Sequence, residues 1–260
     1  MAGTTTRIWY QGFTDPELHH EYFDRLQALV SEVADDGIEV ECHGVVPSAK
    51  DVHGLTEFRC AGQAIRNAIE AERLGYDAFI LGHFQDAGLA EIKATVDIPV
   101  IGLGEATMLY ACGLGRKIGL VTIDRIFIPW HEDQIVRYGL GQRVVGVKAI
   151  DTGLEEFMRA FADDAAYAQV RERFRAQVAP LVAAGVEVVI PAGGIPMLLF
   201  ARERNFAVDG APVLSGIPLV VKLAEMAIKL RCLNGTGVSR AGGYAKPPPQ
   251  ALEEFLANYD

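Results

Sequence analysis

The sequence predicts an α/β protein: mainly parallel sheets flanked by helices, arranged as two similar halves. Three observations predict it. Short apolar runs alternate with longer amphipathic stretches, the pattern of βαβ units. Runs such as Asp77–Gly82 (DAFILG) are apolar throughout, as strands covered on both faces are. And Leu74–Leu89 can be laid without gaps on Ala184–Leu199. In both stretches a helix end, a glycine, an acidic residue, an apolar strand, a small-residue loop and a helix follow in the same order.

Arg7–Gln11 (RIWYQ) reads as the first strand. Thr14 is the expected N-cap of the first helix, with Pro16 early in it and Glu17 at capping-box spacing. Leu18, Tyr22, Leu26, Leu29, Val30 and Val33 then recur at helical spacing until Asp36-Gly37. Ile38–Cys42 alternates as a second strand. Leu55–Leu74 is a helix with Phe58, Ala61, Ile65, Ala68 and Ile69 on one face and Gly75 at its C-terminal end. Strands follow at Asp77–Gly82 and Ile98–Leu103, then a helix at Glu105–Leu114. The second half repeats the alternation: strand Lys117–Thr122, helix Pro129–Tyr138, strand Val144–Ala149, a long helix over Asp163–Ala184 and strand Val186–Ile190. Pro196–Arg204 is helical, Pro212–Leu214 a short strand and Pro218–Leu230 the last long helix. From Gly235 on, Gly242-Gly243 and Pro247-Pro248-Pro249 mark a loop before a short amphipathic end. Right-handed crossovers in such a fold place the active site at the carboxyl ends of the strands.

The chain has 260 residues, half of them hydrophobic, enough for one large or two small globular domains. Its 24 Lys and Arg stand against 34 Asp and Glu, a net charge of −10. That balance argues against nucleic acid and anionic membrane surfaces as partners. It leaves open a small anionic substrate, because local backbone N–H groups can hold an anion inside an acidic protein. Cys42, Cys60, Cys112 and Cys232 are widely spaced, with no C-x-x-C pair. The N-terminus lacks a signal-peptide pattern, and no apolar run reaches the ~18 residues of a membrane span. The expected compartment is the cytoplasm, with reduced thiols. No P-loop or zinc signature is present, Gly102-Leu103-Gly104 lacks the third glycine of a dinucleotide fingerprint, and His19, His20, His43 and His53 show no metal-ligand spacing. No cofactor and no metal are expected.

The two loops paired by the internal repeat, His83–Asp86 and Gly193–Ile195, are candidate site segments. An imidazole titrates near ~6.5 and is a competent base at cellular pH, which makes His83 a candidate; otherwise it caps a helix or fills a loop. The backbone N–H groups of Phe84 and Gln85 are candidate donors to a carboxylate or enolate oxygen. Asp86 reads first as support for the following helix. Gly193 and Gly194 would let backbone approach a ligand, or simply form a tight turn. At the end of the first strand, Gln11 could hydrogen-bond a carboxylate or amide, and Tyr10 could offer a phenolic donor. Glu105 reads as support for its own helix, and Trp130 and His131 as core or surface residues.

Asp97–Arg125 (DIPVIGLGEATMLYACGLGRKIGLVTIDR) resembles the aspartate/glutamate racemase superfamily in its hydantoin-racemase-like branch. Ile126–Leu140 continues the likeness, Val220–Ile228 resembles that branch's last helix and Ala241–Pro249 its tail. The resemblance implies two pseudo-symmetric α/β domains, 1–112 with 214–260 and 113–213, with the active site in the cleft between them. It also implies a homo-oligomer. The family's racemases use two cysteines, one from each half, because inversion requires a proton to leave one face of a carbon and arrive on the other. Here the first position aligns with His83 and the second with Gly193, or with Ala192 if the loop shifts by one; neither is Cys. Thr122 resembles the family threonine that contacts a substrate carboxylate, and Tyr10-Gln11-Gly12 stands where relatives carry an Asn-rich substrate loop. The implied function is a cofactor-independent, racemase-like isomerase. It would move a proton next to a carbonyl or carboxylate of a small acid or hydantoin-like cyclic amide, with His83 in place of the thiols. Decarboxylation, or hydrolysis or hydration of a ring bond with His83 activating water, is the alternative on the same fold. A ligand-binding or assembly protein without catalysis is the third.

Overall fold

In the computed structural model, which describes residues 5–48 and 51–258, the chain divides into two compact units. The first holds the chain up to Leu18, Gln27–Gly102 and the segment from Val220 on; the second holds His19–Leu26 and Leu103–Leu219. Both are parallel sheets with helices packed on them, the α/β architecture expected from the apolar runs.

In the first unit, β1 (Thr6–Gln11), β2 (Ile38–His43), β3 (Ala78–Leu81) and β4 (Val100–Gly102) pair in the order β2-β1-β3-β4, all parallel. The order reverses direction between β1 and β3, the kind of switch point at which open α/β sheets bind ligands. Register brings the carboxyl ends level, with Gln11 beside both His43 and Leu81, and Leu81 beside Gly102. Trp9, Phe79, Leu81 and Val100 form one face of the sheet and pack with Ala64, Ala68 and Ala71 of α2 (Gly54–Arg73) and with Leu89 and Ile92 of α3 (Leu89–Thr95). The buried line of α2 is Cys60, Ala61, Gly62, Ala64, Ala68 and Ala71. Small side chains let the helix sit close to the sheet. Phe58, expected on that face, is exposed instead. The helix opens on His53, whose Nδ1 accepts from Leu55 N–H at 3.1 Å, and closes with Gly75 in a left-handed conformation (φ 78°). Tyr76 N–H then donates to Ala71, satisfying a terminal carbonyl.

The first helix, α1 (His20–Val33), starts later than the capping pattern suggests. The Asp15 carboxylate, not Thr14, accepts the next backbone N–H, that of Glu17, at 3.0 Å. The Thr14 carbonyl is taken by Val45 N–H at 3.2 Å, which ties this stretch to the loop after β2.

In the second unit, β5 (Ile118–Thr122), β6 (Val144–Ala149) and β7 (Val188–Pro191) pair in the order β6-β5-β7, again parallel. The switch between β5 and β7 repeats the arrangement between β1 and β3. Helices α4 (Leu103–Leu114), α5 (Phe127–Arg137), α7 (Asp164–Ala183) and α8 (Gly194–Phe200) lie within a few residues of their expected places. The helix α6 (Leu154–Ala162) was not expected as a separate element. It buries Phe157, Ala160 and Phe161 and ends at Asp163, whose carboxylate caps α7 by accepting from Ala165 and Ala166 N–H. A small hairpin, β8 (Ala207–Val208) and β9 (Ala211–Pro212), turns through Asp209 and Gly210, both at positive φ. The chain returns through α9 (Gly216–Asn234) and ends in α10 (Pro249–Asn258).

A tight contact at the edge of the first sheet lies between Gly82, just after β3, and Tyr10. A Cβ on Gly82 would lie 2.1 Å from Tyr10 Cε1. Gly82→Ala therefore displaces a fully buried ring or the strand end beneath it. It should destabilise the protein by about 3 kcal/mol, the upper range for overpacking, read as a lowered urea midpoint at unchanged slope.

Candidate active site

Gln11 ends β1 and is fully buried. Its Oε1 accepts from Trp9 Nε1 at 3.0 Å and from Asn67 Nδ2, on α2, at 2.8 Å. Its Nε2 donates to the carbonyls of Gly12 and Gly44, both at 2.8 Å. An amide side chain has two accepting and two donating places, and all four are filled. The sequence suggests Gln11 as a ligand-binding residue; the fold consumes its amide in joining β1, α2 and the loop after β2.

That loop edge carries His83. Its Nε2 lies 2.6 Å from Glu57 Oε1, on the first turn of α2. The Phe13 ring lies flat on the imidazole, with centroids 4.0 Å apart and planes within 7°. Both side chains of the pair are about one-fifth exposed. A carboxylate only accepts, so in the neutral ring the proton sits on Nε2 and the lone pair on Nδ1. A carboxylate behind one ring nitrogen fixes tautomer and orientation and stabilises the imidazolium once the other nitrogen takes a proton. Glu57 was not singled out in the sequence, where an acid in the first turn of a helix is ordinary. Its contact crosses from one βαβ segment to the next.

Next to it, Phe84 is fully buried and Gln85 is half-buried, with no hydrogen-bond partner for Gln85 among the described residues. Asp86 is buried in a left-handed conformation (φ 54°), unusual for a residue with a side chain. Its N–H donates to the His83 carbonyl and its carbonyl accepts from Leu89 N–H, both at 3.0 Å. A Cβ on Gly102 would lie 2.7 Å from Asp86 Oδ1, so the carboxylate is packed against the end of β4. The helix it was expected to cap starts later, with Gly88 at the cap position. Tyr10, also fully buried, covers the Gly82 backbone at the base of the same loop.

In the second unit, Thr122 ends β5 and is buried. Ala192 N–H donates to Val121 at 2.8 Å, which sets Ala192-Gly193 beside Thr122. His131 and Gln134 of α5 are fully buried. His131 Nε2 lies 3.3 Å from Thr122 Oγ1, and Nδ1 lies 3.2 Å from Gln134 Oε1. The sequence reading left His131 as core or surface. The signal that could have found it is its i, i+3 spacing from a polar Gln134, on the helix that follows a strand ending in threonine.

Gly193 has φ 158° and ψ 147°, and a Cβ there would meet Pro196 Cγ and Cδ at 3.0 Å. Gly194 begins α8, and the Gly193 carbonyl accepts the first helical N–H, that of Met197. The thiols lie elsewhere: Cys42 in β2, Cys60 in α2, Cys112 in α4 and Cys232 in α9. Burial pushes the Cys42 thiol up to about 12, far from a reactive thiolate. Among the described residues, no group of three or more His, Cys, Asp or Glu could hold a metal ion. No described helix is long and apolar enough to cross a membrane.

The family model described as Asp/Glu/Hydantoin racemase matches residues 15–224. A hydantoin racemase of Pseudomonas sp. (strain NS671) is 26% identical over 206 residues, 78% of each chain. A hydantoin racemase of Paenarthrobacter aurescens is 27% identical over 231 residues, 85% of this chain and 92% of that one. Among solved structures, allantoin racemase from Klebsiella pneumoniae shares the fold with a TM-score of 0.76, at 22% identity over 94% of each chain.

Gln11→Leu removes four hydrogen bonds and strands the indole N–H, the Asn67 amide and two carbonyls at a buried edge. It should cost about 3 kcal/mol, measured by urea unfolding.

Proposed function

The chain belongs to the Asp/Glu/hydantoin racemase family and is an enzyme of racemase or isomerase type, and on that premise we propose that it moves a proton at a carbon next to a carbonyl or carboxylate with His83 as base. What supports the reading is the 2.6 Å hydrogen bond between His83 and Glu57, at the strand end where the family places its first thiol. Nδ1 of the neutral imidazole removes the proton, and Glu57 holds Nε2–H and stabilises the imidazolium that forms. Charge developing on the substrate oxygen is met by a donor at that strand end, for which the N–H of Gln85 is the proposed group; in the second unit Thr122 and the backbone at Gly193 and Gly194 are proposed substrate contacts. The substrate is a small acid or a hydantoin-like cyclic amide, and no cofactor takes part.

Gly193 offers no base, so the chemistry is one-sided. The imidazolium returns its proton to the face it came from, or to a neighbouring atom of the same delocalised anion. Isomerisation and exchange follow easily; inversion requires a proton from elsewhere.

Two measurements test this. With one enantiomer of a hydantoin or small α-substituted acid in deuterium oxide, label should enter the α-position faster than optical rotation is lost. Racemisation at the rate of exchange would overturn the one-base reading, and no exchange or isomerisation with any member of the panel would overturn the function. His83→Ala should lower the exchange rate by about 100-fold or more, and Glu57→Gln by a lesser factor, with the fold retained. Alkylating the accessible thiols of the native protein with iodoacetamide should leave turnover intact, whereas inactivation protected by substrate would return a cysteine to the mechanism.

A further inference from the structure

We infer that His131 is a positioning residue that commits the Thr122 hydroxyl proton, so that Thr122 meets its ligand as a hydrogen-bond acceptor. The inference deepens the reading above, in which the strand ends of the second unit touch substrate.

The logic runs along α5. His131 and Gln134 are fully buried, and buried polar groups must be paired. Gln134 Oε1 can only accept, so at 3.2 Å it requires the proton on His131 Nδ1. In a neutral ring, Nε2 then holds the lone pair. Thr122 Oγ1, 3.3 Å away, is the donor to it. Threonine has a single hydroxyl proton and a side chain stiff at χ1. With that proton directed at Nε2, only the oxygen lone pairs remain for a ligand. A threonine standing alone could rotate its hydroxyl and donate to a substrate carboxylate, the role that the family resemblance implies for Thr122. With His131 behind it, Thr122 favours an N–H or O–H on the ligand and disfavours a bare carboxylate oxygen at that point. None of the one-sided proton transfer at His83 calls on His131, so its burial beside a strand-end threonine is otherwise unexplained.

Two arms test it. The first needs no turnover: ¹⁵N NMR of the histidine rings in the native protein should show His131 as the Nδ1–H tautomer. Thr122→Val should shift the Nε2 resonance and leave Nδ1 in place. An Nε2–H tautomer, or an Nε2 signal indifferent to Thr122→Val, overturns the proposal. The second arm is a double-mutant cycle on whichever substrate the exchange panel yields. Thr122→Val and His131→Leu should each lower kcat/KM by about tenfold, mainly through KM. The double variant should be no worse than Thr122→Val alone, because His131 acts through that hydroxyl. Losses that multiply would mean that His131 supports the fold and not the hydroxyl, and overturn the proposal. If the wild type exchanges nothing, the functional reading fails by itself, and the tautomer measurement alone decides the role of His131.

Discussion

The first unit's working edge depends on one buried amide. Parallel strands end in backbone groups with no partner in the next turn of chain, and each must be paired or hydrated. Gly12 N–H finds His43 and Gly82 N–H finds Gln11, which prolongs the ladder by one step. Beyond that step the Gln11 side chain takes over. It receives Trp9 and Asn67 on one side and supplies Gly12 and Gly44 on the other. The loops carrying Phe13 and His83 therefore leave a fixed edge. The flat stacking of one ring on the other is a consequence of where that edge releases them. A base must be held within a fraction of an ångström to be useful, and rigid elements do this better than loops.

In the proposed reaction, a His–Glu pair in place of a thiol changes the electrostatics of the first step. A thiolate base begins as an anion and ends neutral. A neutral imidazole begins uncharged and ends as a cation, so charge is created in the transition state. On that proposal Glu57 answers the change, because its carboxylate is in place before the proton moves and needs no reorganisation. In a protein of net charge −10 the same carboxylate works against an anionic substrate. A substrate that becomes anionic only at the carbon being deprotonated suits such a site better than one that arrives with several charges.

Strands buried on both faces were legible because nothing but apolar residues can fill them, and the repeat of loop after strand marked both strand ends. What stayed hidden was decided by single residues or by contacts far apart in the chain. The long helix was read from Asp163, where α7 is capped, but the short helix α6 that ends on the same residue was not. Thr14 reads as a cap on paper, yet α1 begins only at His20; the stretch before it is held by contacts made in the fold, Glu17 N–H on the Asp15 carboxylate and Val45 N–H on the Thr14 carbonyl. Gln11 looked available because its four partners come from Trp9, Gly12, Gly44 and Asn67, which only the folded chain assembles. Glu57 and His83 are 26 residues apart and meet only because α2 returns antiparallel to β3.

The backbone at Gly193 bears on the history of the chain. Glycine and cysteine codons differ by a single base, so a lost thiol at such a position would ordinarily be recoverable in one step. Here that step carries a cost: a side chain at 193 meets the Pro196 ring at 3.0 Å on a backbone angle that suits glycine. Recovery would require a change at Pro196 or in the loop before any thiol could be useful, and the intermediate would have neither the old turn nor the new base. For a chain with the proposed one-sided base, the loop is in this sense a ratchet. Lineages carrying this loop would be expected to diversify in what the one-sided base acts upon, not to return to the enzyme they came from.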